Sequence, residues 1–321
     1  MRRLALIAVK LAVSVALLCV AMSGLNFAAI GERLSQLDLG WIVAAFMVAL
    51  LQVPLVAMRW RRVAAACGAE LPLHEALRFN LIAVFFNQVL PSTVGGDAAR
   101  IWLLARFGAG WSKATYSVLI DRFVGVLVLS ATVTAGLYWS FQLIQNPVGR
   151  IALLIVGLGS LTAAAVFLVS ANWTWFRDWR PTRHLAKMSA VARDVLFSRV
   201  SGASVAAISL LVHMLTAVLA WSLARAVAAP LELWHAFLLV LPVMLIATVP
   251  ISIAGWGVRE SALVLAFSYA GLPESDGLIV SVLLGAAMIA VGIVGGAVWL
   301  LSPESPRLTT AWTLTTPGPE R

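Results

Sequence analysis

Apolar runs of about twenty residues recur along the chain, separated by short polar segments. Six are long enough to cross a bilayer core, which takes about 20 helical residues at about 1.5 Å each. They are residues 4–25, 41–58, 116–139, 151–170, 201–223 and 278–301. Two further regions are apolar but broken. Residues 76–90 carry Arg78, Asn80, Asn87 and Gln88, pass through Pro91-Ser-Thr-Val-Gly-Gly96 and continue in a short apolar arm to Phe107. Residues 234–249 meet Pro250-Ile-Ser-Ile-Ala-Gly-Trp-Gly257 and continue to residue 270. Fifteen helical residues reach about 22 Å, short of the roughly 30 Å hydrocarbon core. Each broken region is therefore predicted to be a re-entrant hairpin, whose non-helical turn must be covered by protein or a wet cavity. The expected fold is an all-α polytopic membrane protein with six full transmembrane helices plus two re-entrant helical hairpins. It forms a single integral membrane domain over residues 1–301, with residues 302–321 as a short cytoplasmic tail.

The broken regions resemble each other. Counting from Pro91, a Gly falls at +5 (Gly96) and an Arg at +9 (Arg100); from Pro250 the same offsets give Gly255 and Arg259. Ser117-Val118-Leu119 opens the span after the first hairpin, and Ser281-Val282-Leu283 the span after the second. Each half, residues 1–145 and 146–301, then reads span, span, hairpin, span. An odd number of crossings per half makes the halves an inverted repeat. Interrupted short segments at matching places in such halves point to a transporter's central site.

Composition supports this layout. Hydrophobic residues make up 61% and charged residues 12% of 321, against about 45–50% and about 25% in soluble domains. Soluble enzymes and nucleic-acid binders are excluded together. The net charge of +9 follows from where Lys and Arg sit. With the N-terminus in the cytoplasm, seventeen basic residues fall on that side, Arg59 among them, three fall outside and three within the membrane. That segregation is the positive-inside rule, and anionic inner-leaflet lipid is partner enough for the basic loops. The longest loop, residues 171–200, is basic and Trp-rich and is predicted to form an interfacial helix. Cys19 and Cys67 are too few for a disulfide framework or zinc site and are expected to be buried small apolar residues.

Ionisable residues within the membrane are expensive and default to functional hypotheses. They are Lys10, Asp97, Asp121, Arg122, Arg259 and Glu260, with Arg100 near the first hairpin's end. One reading makes them structural ion pairs that hold the hairpins. The other makes the arginines receptors for an anionic head group, because the planar guanidinium fork donates two hydrogen bonds to phosphate. The glycine-rich turns precede helical arms whose free N–H groups could cradle phosphate. Lys10 reads as a snorkelling residue, His213 as a hydrogen-bonded packing residue and Gly292-Ile-Val-Gly-Gly296 as helix packing. No metal or cofactor constellation is arguable.

Three blocks resemble a known family, the lysylphosphatidylglycerol synthase transmembrane region or flippase-like family. They are Phe85-Phe86-Asn87-Gln88-Val89-Leu90-Pro91-Ser92-Thr93-Val94-Gly95-Gly96-Asp97-Ala98-Ala99-Arg100, Asp121-Arg122-Phe123-Val124-Gly125 and Val249-Pro250-Ile251-Ser252-Ile253-Ala254-Gly255-Trp256-Gly257-Val258-Arg259-Glu260. Asp121 stands where Glu is more usual in the family, and Trp256 where a smaller residue is often found. The resemblance covers about residues 4–301 and implies a bacterial-type plasma (inner) membrane protein that handles lipid. In fused members a separate cytosolic transferase makes the lipid. Only about twenty residues follow Leu301, far too few for such a domain, so a stand-alone member without transferase activity is expected.

The expected function is to bind and translocate an anionic lipid, of modified-phospholipid or polyprenyl-phosphate type, between leaflets. Arg100, Arg122 and Arg259 contact the head group; Asp97, Asp121 and Glu260 balance them and are candidates to carry protons. Pro91, Gly95, Gly96, Pro250, Gly255 and Gly257 shape the turns. The two turns are expected to approach each other and to gather Asp97, Arg100, Arg259 and Glu260 into one neighbourhood, with Arg122 lining the pocket. The alternatives are a membrane enzyme acting on a lipid-linked substrate and a non-transporting partner of a lipid-modifying enzyme.

Overall fold

The computed structural model describes Cys19, Met22, Gly31, Arg33 and residues 35–90, 94–170, 183–198, 202–249 and 256–302. Among these residues the regular structure is all helical. Helices α1 (Leu39–Ala66), α2 (Leu73–Val89) and α3 (Gly95–Leu104) lead through a π-type turn, Ala105–Ala109, into α4 (Trp111–Ala135). The short α5 (Leu137–Leu143), then α6 (Pro147–Ser170) and α7 (Arg183–Phe197), follow. The last four are α8 (Gly202–Ala226), α9 (Leu233–Ala247), α10 (Val258–Tyr269) and α11 (Glu274–Leu300).

Five helices, α1, α4, α6, α8 and α11, are long and apolar enough to cross a membrane. They correspond to five of the six expected spans; the sixth, residues 4–25 with Lys10, lies outside the described residues. The largest boundary correction is in α1, which the apolar run ends at Met58 and the structure extends to Ala66. Charge makes Met58-Arg59-Trp60-Arg61-Arg62 look like a loop. Its helical spacing nevertheless continues an inward face, for Ala49, Val53, Ala57, Trp60 and Ala64 are all buried. Arg59 lies on that side of the helix and is 7% exposed. Each broken region is a pair of helices whose legs pack together, α2 on α3 and α9 on α10. The turn residues Pro91, Pro250 and Gly255 lie outside the described residues, so the approach of turn to turn does too.

The two halves share more than motif spacing. After α1, the Ala69 N–H donates to the Ala64 carbonyl at 2.9 Å, past Gly68 at φ +71°. After α8, the Ala229 N–H donates to the Ala224 carbonyl at 2.9 Å, past Ala228 at φ +51°. Left-handed backbone is natural for glycine and costs an alanine about 1–2 kcal/mol, so the second corner holds its shape against that strain. Leu71 and Ala76 are buried beyond the first corner, Leu231 and Ala236 beyond the second. The matching helices α1 and α8 pack against each other. Along their contact Arg59 meets Ser209, Gln52 meets Thr216 and Trp41 meets Trp221, so they run antiparallel. Opposite directions in matching helices are what an inverted repeat requires.

Helix α11 lies along α2 on the small stripe read from sequence. Gly292 and Gly296 face Phe85, and a side chain at Gly295 would collide with the Leu81 carbonyl. Close backbone approach through glycine is ordinary packing for apolar helices. Within the basic loop, α7 buries Ala192 and Val195 against Val63 of α1, Ile120 and Val124 of α4 and Val205 of α8. It therefore crosses the end of the bundle where α1 finishes and α4 and α8 begin. At the opposite end, Arg33 donates to the carbonyls of Val227 (3.1 Å) and Ala228 (3.3 Å) and lies 3.6 Å from Asp276. The cysteines correct an expectation: Cys19 is exposed and Cys67 only partly buried. A helix in lipid turns apolar groups outward, so small apolar character does not imply an interior position.

Candidate functional site

Five charged side chains converge where α1, α3 and α4 meet. Arg59 of α1 grips Asp121 of α4 with two nitrogens, Nε to Oδ1 at 2.8 Å and Nη2 to Oδ2 at 3.3 Å. Arg100 of α3 donates from Nη2 to the same Oδ2 at 2.8 Å, and its other Nη lies 3.7 Å from Asp97. Arg122 of α4 donates from Nε to Asp97 Oδ2 at 2.6 Å. Arg100 also lies over the Trp60 ring, 4.1 Å from its centroid, and the Trp60 indole N–H donates to Ser117 Oγ at 3.3 Å. Helical spacing explains the convergence. Asp97 and Arg100 share one face of α3, one turn apart, while Asp121 and Arg122 flank the contact of α4 with α3, the first buried and the second half-exposed.

These side chains line a cavity of about 260 Å³, to which α2 and α11 contribute the other walls. Gln52, Asn80 and Asn87 add amides to its polar wall, while Val53, Val84, Met288 and Val291 form an apolar one. Three guanidiniums face two carboxylates, so this lining carries one surplus positive charge. All three guanidiniums reach the two carboxylates, and Arg100 touches both, so the surplus is shared across the cluster with Arg100 at its centre. Arg100 is 5% exposed and its Nε has no hydrogen-bond partner. Buried positive charge in excess of its carboxylates is costly, so the lining is electrostatically suited to an anion. Arg59 and Ser209 both lie seven residues from helix ends on the same side. That sets the cluster about 10 Å into the bundle.

Among the described residues the second hairpin's charges form a hydrogen-bonded network of their own. Arg259 donates from Nε to Ser281 Oγ at 3.0 Å and from Nη2 to Glu260 Oε1 at 2.7 Å. Ser281 donates to the same Oε1 at 2.9 Å, and the Gly257 N–H donates to Glu260 Oε2 at 2.6 Å. Glu260 and Ser281 are fully buried. The charges balance, both carboxylate oxygens are used, and neither Arg259 nor Glu260 lines the cavity. The two halves also differ in what packs beside the charged residues. Position 285, four beyond Ser281, corresponds to Asp121, four beyond Ser117. At Gly285 a side chain would meet the Trp256 ring and Arg259 Nη2, each at 2.8 Å. An indole fills in one half the space that polar groups leave open in the other.

The glycines act differently from a phosphate cradle. The Gly96 N–H donates to Asn87 Oδ1 at 2.8 Å, and the Gly257 N–H is taken by Glu260. What Gly95 and Gly96 provide is close packing, because side chains there would collide with Phe86, Leu90 and the Ala83 carbonyl of the facing leg. Gly257 provides backbone at φ +88°. His213 hydrogen-bonds the Gly125 carbonyl at 3.0 Å, in line with a packing role. Charge segregation alone hid Arg59. The signal that finds it is the inward face of α1, on which Gln52 and Arg59 lie seven residues, two turns, apart.

No curated protein sequence matches the chain. The model of one family, described as the lysylphosphatidylglycerol synthase TM region, matches residues 7–296. That stretch contains both hairpins, all five charged residues of the cavity and the whole Arg259 network. The chain belongs to the lysylphosphatidylglycerol synthase TM region family.

Proposed function

We propose that this protein binds an anionic lipid by its head group in the Arg100 cavity and carries it between leaflets. The observation that supports this most is the net positive charge of the cluster around buried Arg100, beside a cavity whose wall is polar on one side and apolar on the other. A phosphate-bearing head group matches the guanidiniums, and the adjoining acyl or prenyl chain matches the apolar wall. The antiparallel α1 and α8 support an inverted repeat, with hairpins re-entering from opposite faces and access alternating around the site. Arg122, Asp97 and Asp121 belong to the binding site; Arg259 and Glu260 hold the second hairpin to α11. The reading gives the membrane domain a transport role without group-transfer chemistry of its own.

Reconstitution of the full chain into phosphatidylcholine liposomes carrying a trace of fluorescent phosphatidylglycerol tests this. Dithionite quenching should reach the inner-leaflet probe in proteoliposomes and stop at half in protein-free vesicles. Identical half-quenching in both would overturn translocation.

The orientation has its own test. With both termini and α7 cytoplasmic in a bacterial-type inner membrane, a cysteine on the exposed face of α7 should be hidden from impermeant maleimide in intact cells. Ala190→Cys in a Cys19→Ser background is suitable, because Ala190 is exposed whereas Ser189 is buried and donates to the Leu168 carbonyl at 3.0 Å. Burial pushes the Cys67 thiol up to about 11, which lowers its thiolate fraction at neutral pH, and the Cys19→Ser protein without the new cysteine is the control for its labelling. Labelling should appear only after permeabilisation; labelling of intact cells would reverse the orientation.

A further inference from the structure

Arg59 turns its guanidinium toward α4 and α8. Nε and Nη2 hold both oxygens of Asp121, and Nη1 donates to Ser209 Oγ at 3.3 Å. All three nitrogens thus have protein partners on α4 and α8. Asp121 is fully buried, and its Oδ2, held by Arg59, is the oxygen that receives Arg100. The direction of Arg100 therefore depends on a carboxylate whose own direction Arg59 fixes. A planar fork gripping two oxygens sets an angle as well as a distance, which an ammonium cannot do.

Helix α4 is shaped to admit this arginine. Gly125, one turn beyond Asp121, has no side chain, and a Cβ there would stand 3.1 Å from Arg59 Nη1. That is tight enough to push the guanidinium by a few tenths of an ångström. The guanidinium cannot yield freely, because Ser209 holds it from the α8 side and Asp121 from the α4 side. Glycine at 125 is thus matched to arginine at 59 across the helix interface.

We infer that Arg59 is a positioning residue of the head-group site. It fixes Asp121 and through it aims Arg100, rather than binding the anion itself. The inference rests on the head-group reading above. It also assigns Gly125 a purpose, the clearance that lets Arg59 reach Asp121 and Ser209 together.

The test titrates the detergent-solubilised full chain with dioctanoyl phosphatidylglycerol and follows binding by calorimetry. Arg59→Lys keeps the charge and loses the fork; Gly125→Ala keeps every charge and moves the fork. Each is expected to weaken binding by about tenfold, a coupling of ordinary size for residues in one network. A role limited to charge balance would be rescued by lysine and untouched by Gly125→Ala. The double variant Arg59→Lys/Arg100→Met should bind no more weakly than Arg100→Met alone, since Arg59 acts only through Arg100. Wild-type affinity in Arg59→Lys, or a further loss in the double variant, would overturn the inference. Should Arg59→Lys fail to fold, Gly125→Ala decides, and wild-type affinity there overturns it. Equal binding by wild type and Arg100→Met would instead overturn the head-group site itself, and the role of Arg59 with it.

Discussion

Replacing Arg100 with methionine is expected to abolish lipid translocation and leave the protein folded. The charge balance of the cavity gives the reason. Without Arg100, Asp121 keeps its two-pronged contact with Arg59, and Asp97 keeps Arg122. Two cations then face two carboxylates, so no buried charge is left uncompensated. Methionine also fills much of the arginine stem's volume beside Trp60. Only the surplus positive charge is gone, and that charge is what the anionic head group meets. Losing a charge-assisted contact in a buried site removes about 2 kcal/mol or more, roughly 30-fold in affinity. The dithionite assay should read the variant as protein-free liposomes, while its unfolding temperature in detergent matches wild type. Full translocation by a folded Arg100→Met protein would return Arg100 to a structural role.

Arg259→Met should do the reverse. Although Arg259 matches Arg100 in motif position, removing it strands Glu260, which is fully buried and held by Ser281 and the Gly257 N–H. Breaking a buried pair by deleting one partner costs about 3–5 kcal/mol, enough to unfold or release the second hairpin. The double variant Arg259→Met/Glu260→Gln leaves no charge behind, and glutamine can still accept from Gly257. It should recover most of the stability lost by the single variant. Thermal unfolding in detergent distinguishes the two cases. A single variant as stable as wild type would remove the second network from its structural role.

The contrast between these arginines also marks how far the sequence could be read. Apolar runs delimit five of the described long helices, and proline with glycine marks both helical pairs, because lipid forces backbone to be helical except where it is covered. The matching Pro-Gly-Arg spacing points to Arg100 and Arg259, each of which sits in a network of charged side chains. It could not reveal that they differ, because the difference lies in what fills the space. Trp256 and Gly285 close one half, and Asp97 and Asp121 leave the other open and polar. The inward position of Arg59 is hidden in the sequence for a related reason. Charge segregation treats Arg59, Arg61 and Arg62 alike, whereas helical rotation sends the first inward and leaves the other two exposed. Nor could the turn glycines be read from spacing, since the side chains of Asn87 and Glu260 take the N–H groups that a bare glycine turn offers.

The central claim, an anionic head group held at Arg100, is tested most directly by native mass spectrometry of the full chain released from the bilayer. Wild-type protein should retain one phosphate-bearing lipid after delipidation, and folded Arg100→Met protein should retain none. The same lipid kept equally by both would contradict the account.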